Sequence, residues 1–242
     1  LPRNLGGGTS SSCTWAAVQG TSVTMDVLTL NKKGVCELEA AMKSKLVVNE
    51  LVFKGVWSNL TDASELTAEL VSFEGDVLSV ANDSRVVVGS GGIEARTVSL
   101  ARSSSLTATD VLNLTASAAL AVEVSSSIVA TAGRVASPVV EVRDDSSLEG
   151  DAVLTYGSDA HGCSMTASSG ASVRAASLRL DSREGANCTL AARTTSNISA
   201  TRFSFDGSRT ELMDESELTA ELVSFEGDVL SVANDSRGGV GS

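Results

Sequence analysis

Cys188-Thr-Leu-Ala-Ala-Arg-Thr-Thr-Ser-Asn197-Ile-Ser-Ala-Thr-Arg-Phe203-Ser-Phe205 alternates small or apolar residues with polar ones in three short runs. With Cys188 as position 0, the apolar or small positions are +2, +4, +10, +12, +15 and +17, namely Leu190, Ala192, Ile198, Ala200, Phe203 and Phe205. The other three cysteines precede the same pattern. At +10 to +17, Cys13 is followed by Val23-Met25-Leu28-Leu30, Cys36 by Leu46-Val48-Leu51-Phe53, and Cys163 by Val173-Ala175-Leu178-Leu180. Side chains two residues apart share one face of a strand, so each run predicts a short strand with its apolar side inward.

Extending this frame outward gives coils starting at Cys13, Cys36, Val56, Asp76, Arg96, Ala118, Pro138, Cys163, Cys188, Ser208 and Asp228, in steps of 20 to 25 residues. Repetition near that period marks a solenoid, in which each unit buries its apolar face only by stacking on its neighbours. Position +12 is small through most of the chain (Ala68, Ala108, Ala130, Ala175, Ala200, Ala220), while +17 takes Leu30, Phe53, Phe73, Ile93, Leu180, Phe205 and Phe225. Three runs per coil, at 0 to +4, +10 to +12 and +15 to +17, predict an all-β, single-stranded, three-sided parallel β-helix. Helical repeats are disfavoured by the two-residue spacing and by the Ser, Thr and Val content. The expectation is one continuous domain over residues 1–242 with partial coils at both ends. A right-handed course is expected, because corner insertions are well tolerated in that architecture.

With two prolines and eight aromatic residues in the chain, the core is built from Ala, Val and Leu. Eleven rungs at about 4.8 Å make a rod roughly 50 Å long. No apolar run reaches the roughly 18 residues of a transmembrane helix, and residues 1–12 lack a signal-peptide pattern, so the sequence reads as a mature or excised segment.

A formal net charge of −12 argues against nucleic-acid partners and anionic membrane surfaces. Acidic stretches such as Asp144-Asp145 and Glu74-Gly75-Asp76 hold Ca²⁺ weakly at most, because no regular calcium-binding loop is present. No other cofactor is expected.

Equivalent positions on successive rungs lie about 4.8 Å apart, within disulfide range, which pairs Cys13 with Cys36 and Cys163 with Cys188. Stacked free thiols are the competing state. Six of the nine asparagines begin an Asn-x-Ser/Thr sequon: Asn59, Asn82, Asn113, Asn187, Asn197 and Asn234. Asn82 and Asn234 fall at the +6 corner, Asn197 at the +9 corner, Asn187 in an inter-coil loop and Asn59 at the outward +3 position. Asn113 falls in the inward +17 column, so it is expected to be unmodified unless the strand slips to bury Leu112 or Leu114. Sequons with oxidised cysteines point to a secreted, extracellular glycoprotein.

The extra residues are expected at one corner, at 31–35, 114–117, 156–162 and 181–187. Insertions confined to one edge of a solenoid build its binding surface. The two longest bring together Tyr156, Asp159, His161, Asp181, Arg183 and Glu184, the candidate ligand loop, with the sole Tyr and sole His of the chain. Catalysis has little support. One His makes no His-based metal cluster, and there is no GxSxG element, phosphate-binding loop or closely spaced Cys signature. The +3 column (Ala16, Glu39, Asn59, Ser79, Ser99, Ala121, Glu141, Thr166, Ala191, Glu211, Ser231) presents no ladder of acids for glycoside chemistry. The chain is therefore not expected to be an enzyme. A flat ice-binding array at +11 is broken by Glu149 and Arg174.

Residues 64–85, SELTAELVSFEGDVLSVANDSR, recur without change at 216–237 in the same coil register. Neither end has a recognisable capping helix, and open strand edges invite pairing with another chain, so the sequence is expected to be either a slice of a longer solenoid or a subunit that stacks end to end in a heterologous, open assembly. The repeated form of Ile198-Ser-Ala-Thr-Arg-Phe-Ser-Phe205 resembles that of the extracellular parallel β-helix repeat proteins, the group that includes adhesin passenger domains and pectin-lyase-like surface proteins. The Gly-Gly-Ala and Phe-x-x-Asn motifs of polymorphic bacterial membrane proteins are not regularly present, and no catalytic residue carries over. The resemblance implies a surface-exposed or matrix role by analogy of fold. The expected function is a secreted, glycosylated structural or adhesive rod, a filament or matrix component whose partners are copies of itself end to end or neighbouring solenoid segments, with covalently attached glycans. The alternative is a carbohydrate-binding or carbohydrate-cleaving β-helix that uses the loops at 156–162 and 181–187.

Overall fold

The computed structural model describes residues 13–31, 36–157, 162–182, 187–233 and 235–240. Among them there is no helix. The described residues form sixteen strands: β1 (Cys13–Ala17), β2 (Ser22–Asn31), β3 (Cys36–Ala40), β4 (Lys45–Leu60), β5 (Glu65–Ala81), β6 (Arg85–Ala101), β7 (Ser105–Glu123), β8 (Ser127–Ala136), β9 (Val139–Arg143), β10 (Ser147–Tyr156), β11 (Cys163–Ser168), β12 (Ser172–Asp181), β13 (Cys188–Arg193), β14 (Asn197–Leu212), β15 (Glu217–Val232) and β16 (Arg237–Val240). All pairings are parallel and belong to one sheet wound into a β-solenoid of about eleven turns. The longer strands run around corners, so one strand supplies more than one wall.

Parallel stacking explains why the sequence columns are coherent. Each residue lies beside the residue one coil away, as in Leu46↔Leu66, Phe53↔Phe73, Phe205↔Phe225 and Cys163↔Cys188. The inward positions form one apolar core that runs through the coils. Phe53 stacks on Phe73 at 4.6 Å between ring centroids, and Phe205 on Phe225 at 5.1 Å. Each of these rings covers the glycine two residues later. A Cβ on Gly55 would meet the Phe53 ring at 2.5 Å, and one on Gly207 the Phe205 ring at 2.7 Å. Phe-x-Gly is therefore one packing unit. In the coil where the smaller Ile93 replaces the ring, Ala95 takes the glycine position and is buried.

The corner after the first wall is built by a device that position-by-position hydropathy does not show. Consecutive residues at +6 and +7 take positive φ, including Met42 and Lys43, Asn82 and Asp83, Arg102 and Ser103, and Val124 and Ser125. Left-handed backbone costs an L-residue about 1–2 kcal/mol. Hydrogen bonds to the next coil offset this cost. The N–H of Ala63 donates to the carbonyl of Asn82 at 2.7 Å, that of Asp83 to Arg102 at 2.9 Å and that of Ser103 to Val124 at 2.8 Å.

At +8 a serine turns inward: Ser44, Ser64, Ser84, Ser104, Ser126, Ser146, Ser196 and Ser216 are all buried. Their hydroxyls satisfy backbone groups that the corner would otherwise orphan. Ser64 Oγ donates to the Thr61 carbonyl at 2.6 Å, and the Ser64 N–H donates to Ser84 Oγ at 3.2 Å. The same step recurs from the Ser104 N–H to Ser126 Oγ at 3.2 Å and from the Ser126 N–H to Ser146 Oγ at 3.1 Å. Where Ala171 interrupts the column, Ser196 Oγ reaches the Ala167 carbonyl at 3.0 Å.

One insertion is not where the spacing predicts. Residues 114–117 form no corner loop; they lie within β7. The register from β6 to β7 lengthens in two single-residue shifts, from Val88↔Ala108 to Gly91↔Leu112 and from Ala95↔Ala116 to Thr97↔Ala119. The first shift reverses the expected facing of Asn113. Leu112 and Leu114 are buried and Asn113 is exposed. A one-residue slip exchanges the faces of a strand, and here it exchanges one polar inward residue for two leucines. A further irregularity between Gly150 and Ala152 sets Val153 beside Val135, where a 20-residue spacing would set Thr155.

Candidate functional site

Both disulfides are formed, Cys13–Cys36 and Cys163–Cys188, each between in-register neighbours with Cα atoms 4.4 Å apart. Each fastens coils that are joined through a longer corner. The connection between Asn31 and Cys36, and that between Asp181 and Cys188, both end at a bridged cysteine.

In the candidate ligand loop, Tyr156 and Asp181 are in-register neighbours at the ends of β10 and β12. The Gly157 N–H donates to the Asp181 carbonyl at 3.0 Å, and Arg179 pairs with the Asp181 carboxylate at 2.8 Å. Asp159, His161, Arg183 and Glu184 lie outside the described residues. Below Asp181 the same outward column continues through Asp206 to Glu226, and Ser182 Oγ donates to Asp206 at 2.8 Å. Among the described residues no group of three or more His, Cys, Asp or Glu side chains is arranged to hold a metal ion.

Two acids of the outward +3 column, Glu141 and Glu211, are held in ion pairs. Glu211 is buried against two arginines, Arg193 at 2.6 Å and Arg209. Glu141 pairs with Arg143, which also lies 3.9 Å from Glu123.

The sequon asparagines differ in setting. Asn113, Asn187 and Asn197 are exposed, and Asn59 is half-buried between Glu39 and Ser79 in its column. Asn82 sits on the left-handed corner, where its amide Nδ2 donates to Asp62 at 3.0 Å and its Oδ1 accepts from Arg102 at 3.2 Å. Its sequon partner Ser84 is buried in the serine column. Asn234 lies outside the described residues.

An apolar opening lies elsewhere. A cavity of about 450 Å³ opens beside β15 and β16, lined among others by Phe203, Leu212, Val223, Phe225, Leu230 and Val232. Beyond Glu217–Ala220, which pair with β16, the edge of β15 that faces away from β14 has no partner among the described residues. The sequence duplication supplies an internal standard for this surface. Leu78 is 3% exposed, whereas its counterpart Leu230 is 58% exposed. Val80 and Val232 are 0% and 49% exposed, and Phe73 and Phe225 are 4% and 37%. The similarity in fact continues past the 22 identical residues: Val88-Gly89-Ser90 matches Val240-Gly241-Ser242, with Val86 and Val87 replaced by Gly238 and Gly239. Identical side chains thus meet a covering coil, β6, in one place and solvent in the other. Hydropathy could not have found this site, because it reports the same values for both copies.

No known protein family, curated protein or solved structure matches the chain. Among the described residues no helix is long and apolar enough to cross a membrane.

Proposed function

We propose that this chain is a structural or adhesive rod of the extracellular space, carrying N-linked glycans and assembling end to end into a filament or surface component. The carrying observation is the apolar coil at 217–232, whose Leu230 and Val232 have no coil stacked on them among the described residues, whereas the identical coil at 65–80 is covered by β6; a further coil, from a neighbouring solenoid segment or from another copy, is what would cover them. An unpaired strand edge joined to apolar side chains is a template for a further parallel strand. Two disulfides between neighbouring coils support an oxidising compartment. The exposed Asn113, Asn187 and Asn197 support glycan attachment on the outer walls.

Sedimentation velocity on the natively purified protein, with intact mass before and after glycosidase, tests the reading. The expected result is particles of several chains that carry glycosidase-sensitive mass, reduced to single chains by Leu230→Glu. Single, unmodified chains that shift only when polysaccharide is added would replace the rod with the carbohydrate-binding reading.

A further inference from the structure

We propose that Asn59 carries an N-linked glycan whose first sugar ring packs on the indole of Trp57, so that this glycan adds to the stability of the first wall. This rests on the glycoprotein reading above and assigns one attachment a structural task.

Trp57-Ser58-Asn59-Leu60-Thr61 runs out of β4 into the corner and contains a sequon. Ser58 and Leu60 are each 1% exposed, so Trp57 and Asn59 share the outward face of the strand. Two residues along a strand set their Cα atoms about 6.6 Å apart. On that face Trp57 lies between Glu37 and Val77, and Asn59 between Glu39 and Ser79. The indole has no core to fill there, and the column continues through the smaller Val77, Thr97 and Ala119. Beside Asn59 the column continues through Ser79 and Ser99, whose short side chains leave room over the wall for a pyranose. The first N-acetylglucosamine of a glycan presents a face of C–H groups, which packs on an aromatic surface while its hydroxyls stay in water. No other sequon has an aromatic residue two positions ahead of its asparagine; those places hold Val80, Val111, Gly185, Thr195 and Val232. Attachment precedes folding, so the half-burial of Asn59 in the finished wall does not bar it. Its Nδ2 bonds to the anomeric carbon of an oligosaccharide, the bond from that carbon to the diphosphate of a lipid-linked donor breaks with the electron pair leaving on the diphosphate, and one amide proton is released.

Glycopeptide mass spectrometry and melting temperature of the full glycosylated chain test this. Asn59 is expected to be occupied, and Asn59→Gln to lower the melting temperature by about 2–4 °C beyond its effect in protein made without glycans. Asn113→Gln, which removes a glycan beside Val111, should change it by less than about 1 °C. The extra loss from Asn59→Gln should disappear in Trp57→Leu, which keeps the strand covered, and persist in Trp57→Phe, which keeps an aromatic face. Glycosidase acting on the folded protein should release the Asn59 glycan more slowly than that at Asn113, and Trp57→Leu should abolish the difference. A glycan at Asn59 whose loss costs the same with and without Trp57, or a bare Asn59 on a chain glycosylated elsewhere, would overturn the inference and leave the glycoprotein reading standing. Absence of glycan at every sequon would overturn both.

Discussion

Residues 65–80 and 217–232 have one sequence and two environments, and the difference between them isolates what a neighbouring coil contributes. In the first copy Leu78, Val80 and Phe73 lie between β4 and β6; in the second Leu230, Val232 and Phe225 pair, among the described residues, with β14 only. Propensity, hydrophobicity and corner chemistry are the same in both. Each coil of a solenoid is therefore half of an interface, and its burial is decided by the coil placed on it.

The sharpest way to break this comparison is to place a charge in each copy. Leu78→Glu should unfold or severely destabilise the protein, by more than about 3 kcal/mol in thermal or denaturant unfolding, because the carboxylate is buried without a partner. Leu230→Glu should cost the single chain no more than about 1 kcal/mol and act on assembly instead. Equal losses would mean that the second copy is covered within the chain.

Ring removal is the next test. Phe73→Ala deletes a side chain enclosed by Phe53 and Ile93 and should cost about 3–5 kcal/mol. Phe225→Ala removes one that packs on Phe205 from one side, so unfolding of the dissociated chain should show a loss of about 1–2 kcal/mol.

The serine column gives a smaller contrast. Ser84→Ala leaves the buried Ser64 N–H without its acceptor and should cost about 1–2 kcal/mol, whereas Ser236→Ala should cost less than about 0.5 kcal/mol. Unglycosylated protein separates this effect from loss of the Asn82 and Asn234 sequons, and mass spectrometry of the glycosylated variants reports that loss.

The smallest contrast is electrostatic. Lys54 donates to Glu74 at 2.8 Å, and this hydrogen bond, with the carboxylate charge, raises the lysine above its ordinary value. The contribution is present below the unfolded-state value and is lost as pH rises through the higher folded-state value. In the second copy Asp206 occupies the position of Lys54. A pH titration of melting temperature should therefore show a slight decline that begins only above about pH 10 and disappears in Lys54→Gln.

Much of the fold was legible because parallel stacking forces like residues into columns, as at Phe205 and Phe225 or Cys163 and Cys188. The corner conformation was not, since Met42, Val124 and Arg102 are ordinary residues held in left-handed backbone by hydrogen bonds to the next coil. The spacing misplaced 114–117 because a one-residue slip restores the apolar face anywhere along a strand, and burying Leu112 and Leu114 decided where. The disulfide partners followed from their shared position. Open edges were expected from the lack of a cap, but which side chains they expose was not legible, because exposure depends on a neighbour that 22 identical residues cannot encode.

Electron cryomicroscopy of the natively purified protein tests the central claim most directly. Continuous rods much longer than the roughly 50 Å of one solenoid, with the interior columns running unbroken across each junction and branched density at exposed sequon asparagines, are the expected result. Discrete particles of about one solenoid length at high concentration, with bare asparagines and the 217–232 coil still open to solvent, would contradict it.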